Sequence, residues 1–313
     1  MNNRSLCWAR LPRAGLGNLL LVWARAWVFA RINEIPLFLT GWNVFRPGPL
    51  IRGELPRFYS RYFARCNEIS RAKFTVARYR FRRVIEPTLA KQPVDRRILY
   101  VFSAMPHWRD YFAGIRDHRE DLREALDRML APKVREIISH SARPVVSVHV
   151  RRGDFRELQP GEDFAKVGLV RTPLSYFADV IHDLRLLAGV DLPVTIFSDG
   201  PESELGELLR MGNVHYRTPS AAIADLLLMA SSKIIVTSPS STFSYWAGFL
   251  SDGAVILHPD HIHRAIRPAE VNCRSYEGPV RDSMNEWPVA LKRYMQVACM
   301  KAQEHSDSSF YYS

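Results

Sequence analysis

The chain has 313 residues, 47% hydrophobic and 24% charged, which excludes a disordered or low-complexity protein and suits about two domains. Its formal charge of +11 and pI near 9.7 favour anionic partners such as nucleotides, acidic glycans, membrane surface or nucleic acid, with a solvated basic face as the equally weighted alternative. Cys7, Cys66, Cys273 and Cys299 lie far apart with no Cys-x-x-Cys pair, which excludes a zinc ribbon or disulfide scaffold and suits a reducing compartment.

Leu6 to Leu11 reads as a short strand. Arg13-Ala14-Gly15-Leu16-Gly17-Asn18 follows as a glycine-containing loop and leads into an apolar helical run to Ile32. Asn18, Arg25 and Arg31 interrupt that run, so it is too short and too charged to span a bilayer, and no signal-peptide cleavage site accompanies it. It reads as a core helix, and the chain as cytoplasmic, with its basic face able to touch an anionic membrane. Ile35 to Thr40 is the next strand, so the chain opens as a βαβ unit. Residues 43–95 are rich in Arg, Pro and aromatics and lack a periodicity that places them. Much of the excess charge lies in this half, at Arg57, Arg61, Arg65, Arg71, Arg78, Arg80, Arg82 and Arg83. Arg97 to Ser103 is a strand, and Leu122, Leu126, Met129 and Leu130 recur at helical spacing. Val134, Ile137 and Ile138 extend that face beyond Pro132.

The second half alternates more clearly. Val145–Val150 is a strand. Thr172-Pro173 fits an N-cap and first helical residue, with Leu174, Phe177, Ile181 and Leu184 on one helix face. Val194–Phe197 is a strand ending in Ser198-Asp199-Gly200, and Leu205, Leu208 and Leu209 mark a helix. Ile223, Leu226, Leu227 and Ala230 mark another, capped by Ser220. Ile234–Val236 and Ala254–Leu257 are strands on either side of a helix that runs to Leu250. Such alternation implies a parallel sheet with right-handed crossovers. The expected domains are 1–142 and 143–285, then a C-terminal helix at 286–302 and a frayed tail at 303–313.

Val145-Val146-Ser147-Val148-His149-Val150-Arg151-Arg152-Gly153-Asp154 is the most informative stretch. A buried strand that delivers polar residues at its carboxyl end marks the lip of a ligand crevice in open α/β sheets. Arg is a planar, permanently charged fork that matches phosphate oxygens. Adjacent residues on a strand face opposite ways, so one of Arg151 and Arg152 meets the ligand, while the other is free to pair with a carboxylate such as Asp154. His149 shares a face with Arg151; the alternative is a satisfied core histidine.

Gly15, Gly17 and Asn18 either let a backbone approach a ligand or form a tight turn. Ser238, Ser240, Ser241 and Thr242 precede a helix carrying Phe243, Ser244, Tyr245 and Trp246. Capping needs one hydroxyl, and the surplus favours an anion at the helix start. Asp199 suits a base edge or ribose hydroxyl, or else an Asx turn or cap. His258, Asp260, His261 and His263 match no known metal spacing, and no Asp-x-Asp pair ends a strand, so neither a metal site nor a Mg²⁺–diphosphate clamp is expected.

His149-Val150-Arg151-Arg152-Gly153-Asp154 resembles the signature of the GDP-fucose-dependent fucosyltransferases, in particular the α-1,2-fucosyltransferases, with the nodulation and core α-1,6 enzymes as distant relatives. Gly15-Leu16-Gly17-Asn18, Ile196-Phe197-Ser198-Asp199 and Ser240-Ser241-Thr242-Phe243-Ser244-Tyr245-Trp246-Ala247 resemble three further family motifs in the same order. Ser238-Pro239 stands where the family usually has Asn, and Gly200 where some relatives have an acid. The resemblance implies a GT-B fold, two Rossmann-like domains with the active site in the cleft between them. It implies inverting transfer of fucose from GDP-β-L-fucose to a glycan hydroxyl, without metal or cofactor. By similarity Arg151 holds the β-phosphate, and His149 and Asp199 contact guanosine. Ser241, Thr242, Phe243 and Ser244 lie near the diphosphate, with Gly15, Gly17 and Asn18 on the donor, and Arg152 and Asp154 shape the loop.

Arg151 and Asp154 are the expected catalytic pair. The proton of the acceptor hydroxyl goes to a base or through water, the candidates near the motif being Asp154, Glu157, Glu162 and Asp163. The expected partners are a GDP-sugar and a glycan acceptor, lipid-linked or part of a surface polysaccharide, and no nucleic acid. The alternatives are transfer from another GDP-sugar and a basic nucleic-acid-binding protein, which would lack a recognisable motif of that class.

Overall fold

The computed structural model describes residues 5–42, 59–64, 66–93, 97–261 and 264–297. The chain separates into two compact units, Met1–Ser139 and His140–Ser313. The basic positions Arg57 and Arg65, together with His263, Cys299 and the tail 303–313, lie outside the described residues.

In the first unit β1 (Leu6–Arg10), β2 (Leu37–Thr40), β3 (Arg82–Ile85) and β4 (Ile98–Phe102) form an all-parallel sheet in the order β2-β1-β4-β3. α1 (Leu16–Ile32) joins β1 to β2. Twelve of its side chains are buried, from Leu16 to Ala30, so the apolar run is a core helix as read. Among the described residues no helix is long and apolar enough to cross a membrane. Helix α1 begins at Leu16, so Gly17 and Asn18 occupy its first turn and not a loop, which corrects the expectation.

The unplaced stretch before residue 95 contains α2 (Arg71–Arg80) and the edge strand β3. Ser70 caps α2 by accepting the Lys73 N–H. Phe74 anchors α2, stacked on Phe38 with ring centroids 4.0 Å apart and edge-on to Trp8 at 5.2 Å. The helical face expected to run past Pro132 is broken in two. α3 (Arg119–Met129) ends at extended Leu130, and α4 (Pro132–Ser139) starts afresh, because proline disfavours helical geometry in the residue before it.

In the second unit β5 (Val146–Val150), β6 (Val194–Ser198), β7 (Val214–Tyr216), β8 (Ile234–Val236), β9 (Ala254–Ile256) and β10 (Glu277–Gly278) form a parallel sheet ordered β10-β9-β8-β5-β6-β7. Val146, Val148 and Val150 join Phe177, Ile181 and Leu184 of α5 (Leu174–Ala188) in one core cluster. Pro173, not Thr172, occupies the cap position of α5. α6 (Gly206–Leu209) precedes β7, and α7 (Ala222–Ala230) follows it. Ser220 does not cap α7; its amide and hydroxyl both donate to the Asp225 carboxylate in the first turn of that helix. α8 (Thr242–Leu250) links β8 to β9, and α9 (Ala269–Arg274) leads to β10. Strand order reverses between β5 and β8, and open α/β sheets bind ligands at the carboxyl ends of strands at such a reversal.

Two-residue β10 is held by a buried ion pair. Arg267 is wholly buried; it pairs with Glu277 and donates to the Ser251, Gly253 and Tyr276 carbonyls at 2.6–3.1 Å. Removing one member of such a pair strands the other charge. Arg267→Met is expected to lower stability by about 3–5 kcal/mol, read from denaturant unfolding, and an unchanged midpoint would contradict the network's role.

Candidate active site

The lip is built by serines that hold the last carbonyls of β5. Ser198 on β6 donates to the Val150 carbonyl at 2.7 Å. Ser238, after β8, donates to the His149 carbonyl at 2.6 Å and accepts the Arg151 N–H at 2.9 Å. Both neighbouring strands thus continue to grip the chain where the ladder ends. Ser238 is fully buried, so each bond is made out of reach of competing water.

Asp199 then organises the loop. It accepts the Arg152 N–H at 2.9 Å and pairs with the Arg151 guanidinium, which also pairs with Asp154. Glycine is required twice here for space. A Cβ on Gly153 would collide with the Asp199 carboxylate, and one on Gly200 would meet the Arg152 Cβ at 2.5 Å. The Gly200 departure from the family pattern therefore has a packing reason: the loop and the β6 turn are pressed together.

The two arginines diverge as strand geometry requires. Arg151 is the outward one, its side chain 16% exposed, with its guanidinium over the Phe155 ring at 5.3 Å. Arg152 is buried and reaches the Thr172 carbonyl. The expectation that the arginine turned from the ligand pairs with Asp154 is corrected: Asp154 pairs with Arg151.

His149 is buried and tilted against Phe243, ring centroids 5.2 Å apart. Its Nδ1 is buried without a hydrogen-bond partner, so it is not the satisfied core histidine of the alternative reading. Burial, reinforced by the Arg151 charge, pulls its pKa down to about 3.

The hydroxyl run is divided between buried and part-exposed members. Ser238 and Ser244 are fully buried, and Ser244 Oγ accepts the Ser238 N–H and donates to the Ser241 carbonyl. Ser241 holds the cap position of α8 without a side-chain cap bond. Ser240, Thr242 and Phe243 are part-exposed at the helix start. Ser240 adopts φ of 60° and donates its N–H to the Tyr245 hydroxyl. Of the four hydroxyls taken in sequence as a sign of anion binding, that of Ser238 is committed to bracing β5.

All four candidate bases are ion-paired: Asp154 with Arg151, Glu157 with Arg171, Glu162 with Arg156 and Asp163 with Lys166. The Arg156 fork holds Glu162 down to about 2, and Lys166 lowers Asp163. A carboxylate so depressed is a weak general base at neutral pH.

At the carboxyl end of β9, His258 packs against Tyr176 at 4.3 Å and Phe164 at 5.0 Å, with His261 at 5.6 Å, a mainly aromatic cluster. Among the described residues no group of three His, Cys, Asp or Glu is placed to hold a metal ion. Sequence reading missed Asp225, which accepts from Arg217 at 3.0 Å beyond β7; a lone acid in the first turn of an apolar helix was its only signal. In the first unit Gly15 caps α1 with φ of −65°, and a Cβ there would meet nothing, so neither backbone nor packing demands glycine.

The two parallel α/β units have the fold of glycosyltransferases of the GT-B architecture. The model of glycosyl transferase family 11 matches residues 90–263, and the chain belongs to that family, in line with the fucosyltransferase resemblance of its motifs. The fold is shared with crystal structures of the fucosyltransferase NodZ from Bradyrhizobium. One is 15% identical with a TM-score of 0.54, covering 83% of this chain and 98% of that one. The NodZ α-1,6-fucosyltransferase soaked with GDP-fucose is 15% identical with a TM-score of 0.51, covering 82% and 94%. No curated protein matches the chain in sequence.

Two outcomes are expected. Gly153→Ala should destabilise by about 1–3 kcal/mol, the usual cost of overpacking, while Gly168→Ala, with nothing within 4 Å of the added Cβ, should not change the unfolding midpoint. The second concerns acid. The folded pKa of His149 lies near 3, below the ordinary 6.5, so the unfolded chain binds the extra proton between those values. Its contribution is whole above pH 6.5 and is lost as pH falls toward 3. Melting temperature should drop across that window, and less steeply in His149→Gln; parallel curves would refute the buried neutral imidazole.

Proposed function

We propose that this chain transfers L-fucose from GDP-β-L-fucose to a glycan hydroxyl, with inversion and without a metal, and that the acceptor is the 2-hydroxyl of a galactoside. The observation that carries the donor assignment is Arg151, part-buried at the strand reversal and aligned by Asp199. The fucose and the α-1,2 linkage rest on the four motifs. The NodZ structure of like fold is described as an α-1,6 enzyme, so linkage is a separate question from fold.

The lip suits a leaving diphosphate. Charge that develops on the departing oxygens is stabilised by the Arg151 guanidinium and by the positive end of the α8 dipole, at its first turn from Thr242 to Ser244. Arg151 shares its charge with two carboxylates, so a diphosphate must displace one. Asp154 is the one to yield, its side chain 47% exposed against 21% for Asp199, which is also anchored to the Arg152 amide. In an inverting transfer the acceptor attacks the sugar face opposite the leaving group. Asp154, beside the group that holds the diphosphate, is on the leaving side. Its part is to set Arg151, and the acceptor proton goes to another base or to water. Guanosine contact by His149 requires local rearrangement, since Nδ1 is buried.

The test is nucleotide-dependent melting followed by turnover. GDP should raise the melting temperature where ADP and UDP do not, since a ligand of the native state adds stability. Arg151→Ala should melt near wild type, lose the GDP shift and lose transfer by about a hundredfold or more, the scale for one charge-stabilising donor. Transfer that persists in Arg151→Ala would overturn the assignment. Methylation analysis of the product on galactose-terminated acceptors fixes the linkage, and a 6-linked product would overturn the α-1,2 reading. Unchanged turnover in EDTA is expected.

A further inference from the structure

A second basic surface lies in the first unit, on α2 and the edge strand β3. Between residues 71 and 85 the chain carries Arg71, Lys73, Arg78, Arg80, Arg82 and Arg83 and no Asp or Glu. All six cations are exposed.

The arrangement on α2 reverses that of an ordinary surface helix. At about 100° per residue, Phe74 and Ala77 point inward, where both are buried. The opposite side should be polar in a helix that faces only water. Here it carries Ala72, Val76 and Tyr79, with Tyr79 78% and Val76 37% exposed. Arg71 and Arg78 border this apolar stripe on one side, Lys73 and Arg80 on the other. The chain then turns into β3, tied back by a hydrogen bond from Arg83 to the Arg78 carbonyl at 3.0 Å. Edge strand β3 adds Arg83 and Ile85, the latter 68% exposed, which register with Leu99 and Val101 on the α2 side of the sheet, while Arg82 points to the other side.

A solvent-facing apolar stripe between two cation rows fits a layered medium with anions at one depth and hydrocarbon just below. Long basic side chains reach phosphates while apolar groups enter the headgroup boundary. We propose that the α2–β3 face docks the protein on an anionic lipid membrane, with Val76, Tyr79 and Ile85 inserted and Arg71, Lys73, Arg78, Arg80 and Arg83 at the lipid phosphates. A nucleic acid would meet the same cations but has no use for Val76 and Ile85, and the face offers one aromatic ring, too few for a stacking platform.

Flotation with phosphatidylcholine vesicles, with and without phosphatidylglycerol, tests this on the full chain. Binding is expected only with phosphatidylglycerol and should weaken with salt. Arg71→Gln/Lys73→Gln/Arg80→Gln should weaken it by about fivefold per cation, roughly a hundredfold together, at an unchanged melting temperature. Tyr79→Ser should weaken it too, and the emission that Tyr79→Trp adds over the seven native tryptophans, read as the difference from wild type, should shift to the blue on adding these vesicles. The Tyr79→Trp measurement decides the matter if the triple variant fails to fold. Absence of flotation, undiminished binding by the folded triple variant, or an unshifted Tyr79→Trp emission would overturn the proposal. Oligonucleotide binding tighter than vesicle binding and indifferent to Tyr79→Ser would assign the face to nucleic acid instead.

Discussion

Two serine hydroxyls carry the chemistry of this protein's second unit, although neither is placed to react. Ser198 and Ser238 hold the Val150 and His149 carbonyls after the β5 ladder has run out. A strand end released into solvent would lose its direction within a residue or two. These bonds keep it, and Asp199 takes over from them by fixing the Arg152 amide. Arg151 is thereby presented outward by backbone geometry and not by its own long, flexible side chain. The close contacts at Gly153 and Gly200 follow from the same demand, because a carboxylate that grips the loop must sit against it.

The parallel sheet of the second unit was legible because its central strands are β-branched and its helices keep a 3.6-residue period. Val146, Val148 and Val150 announce burial without reference to anything distant. β3, β7 and β10 were not legible. β3 carries two arginines in four residues and is an exposed edge, so it lacks an apolar signature. β7 has three residues and β10 two, and β10 is held by Arg267 and Glu277, whose meeting depends on tertiary structure.

At the site the residue types were readable and the pairings were not. The divergence of Arg151 and Arg152 follows from strand geometry. That Asp154 and Asp199 converge on one guanidinium, and that Ser238 and Ser244 turn inward, follows from how β6, β8 and α8 meet β5. A hydroxyl count before a helix cannot separate bracing from ligand binding. Likewise the four acids after the lip look like a choice of bases in sequence, yet each is paired with a cation in the fold.

The doubly paired Arg151 also sets a threshold of valence and a clock. With Asp154 and Asp199 it sums to one negative charge, so a small monovalent anion arriving there meets repulsion before it meets a free donor. On the proposed reading a chelating ligand with two linked phosphates gains contact at the guanidinium and the α8 start together, and turns Asp154 out. On the proposed reading the displaced carboxylate remains tethered three residues away, at a high effective concentration. It competes for Arg151 as soon as transfer is complete, so on that reading the side chain that keeps common anions off the lip also hastens the release of spent nucleotide.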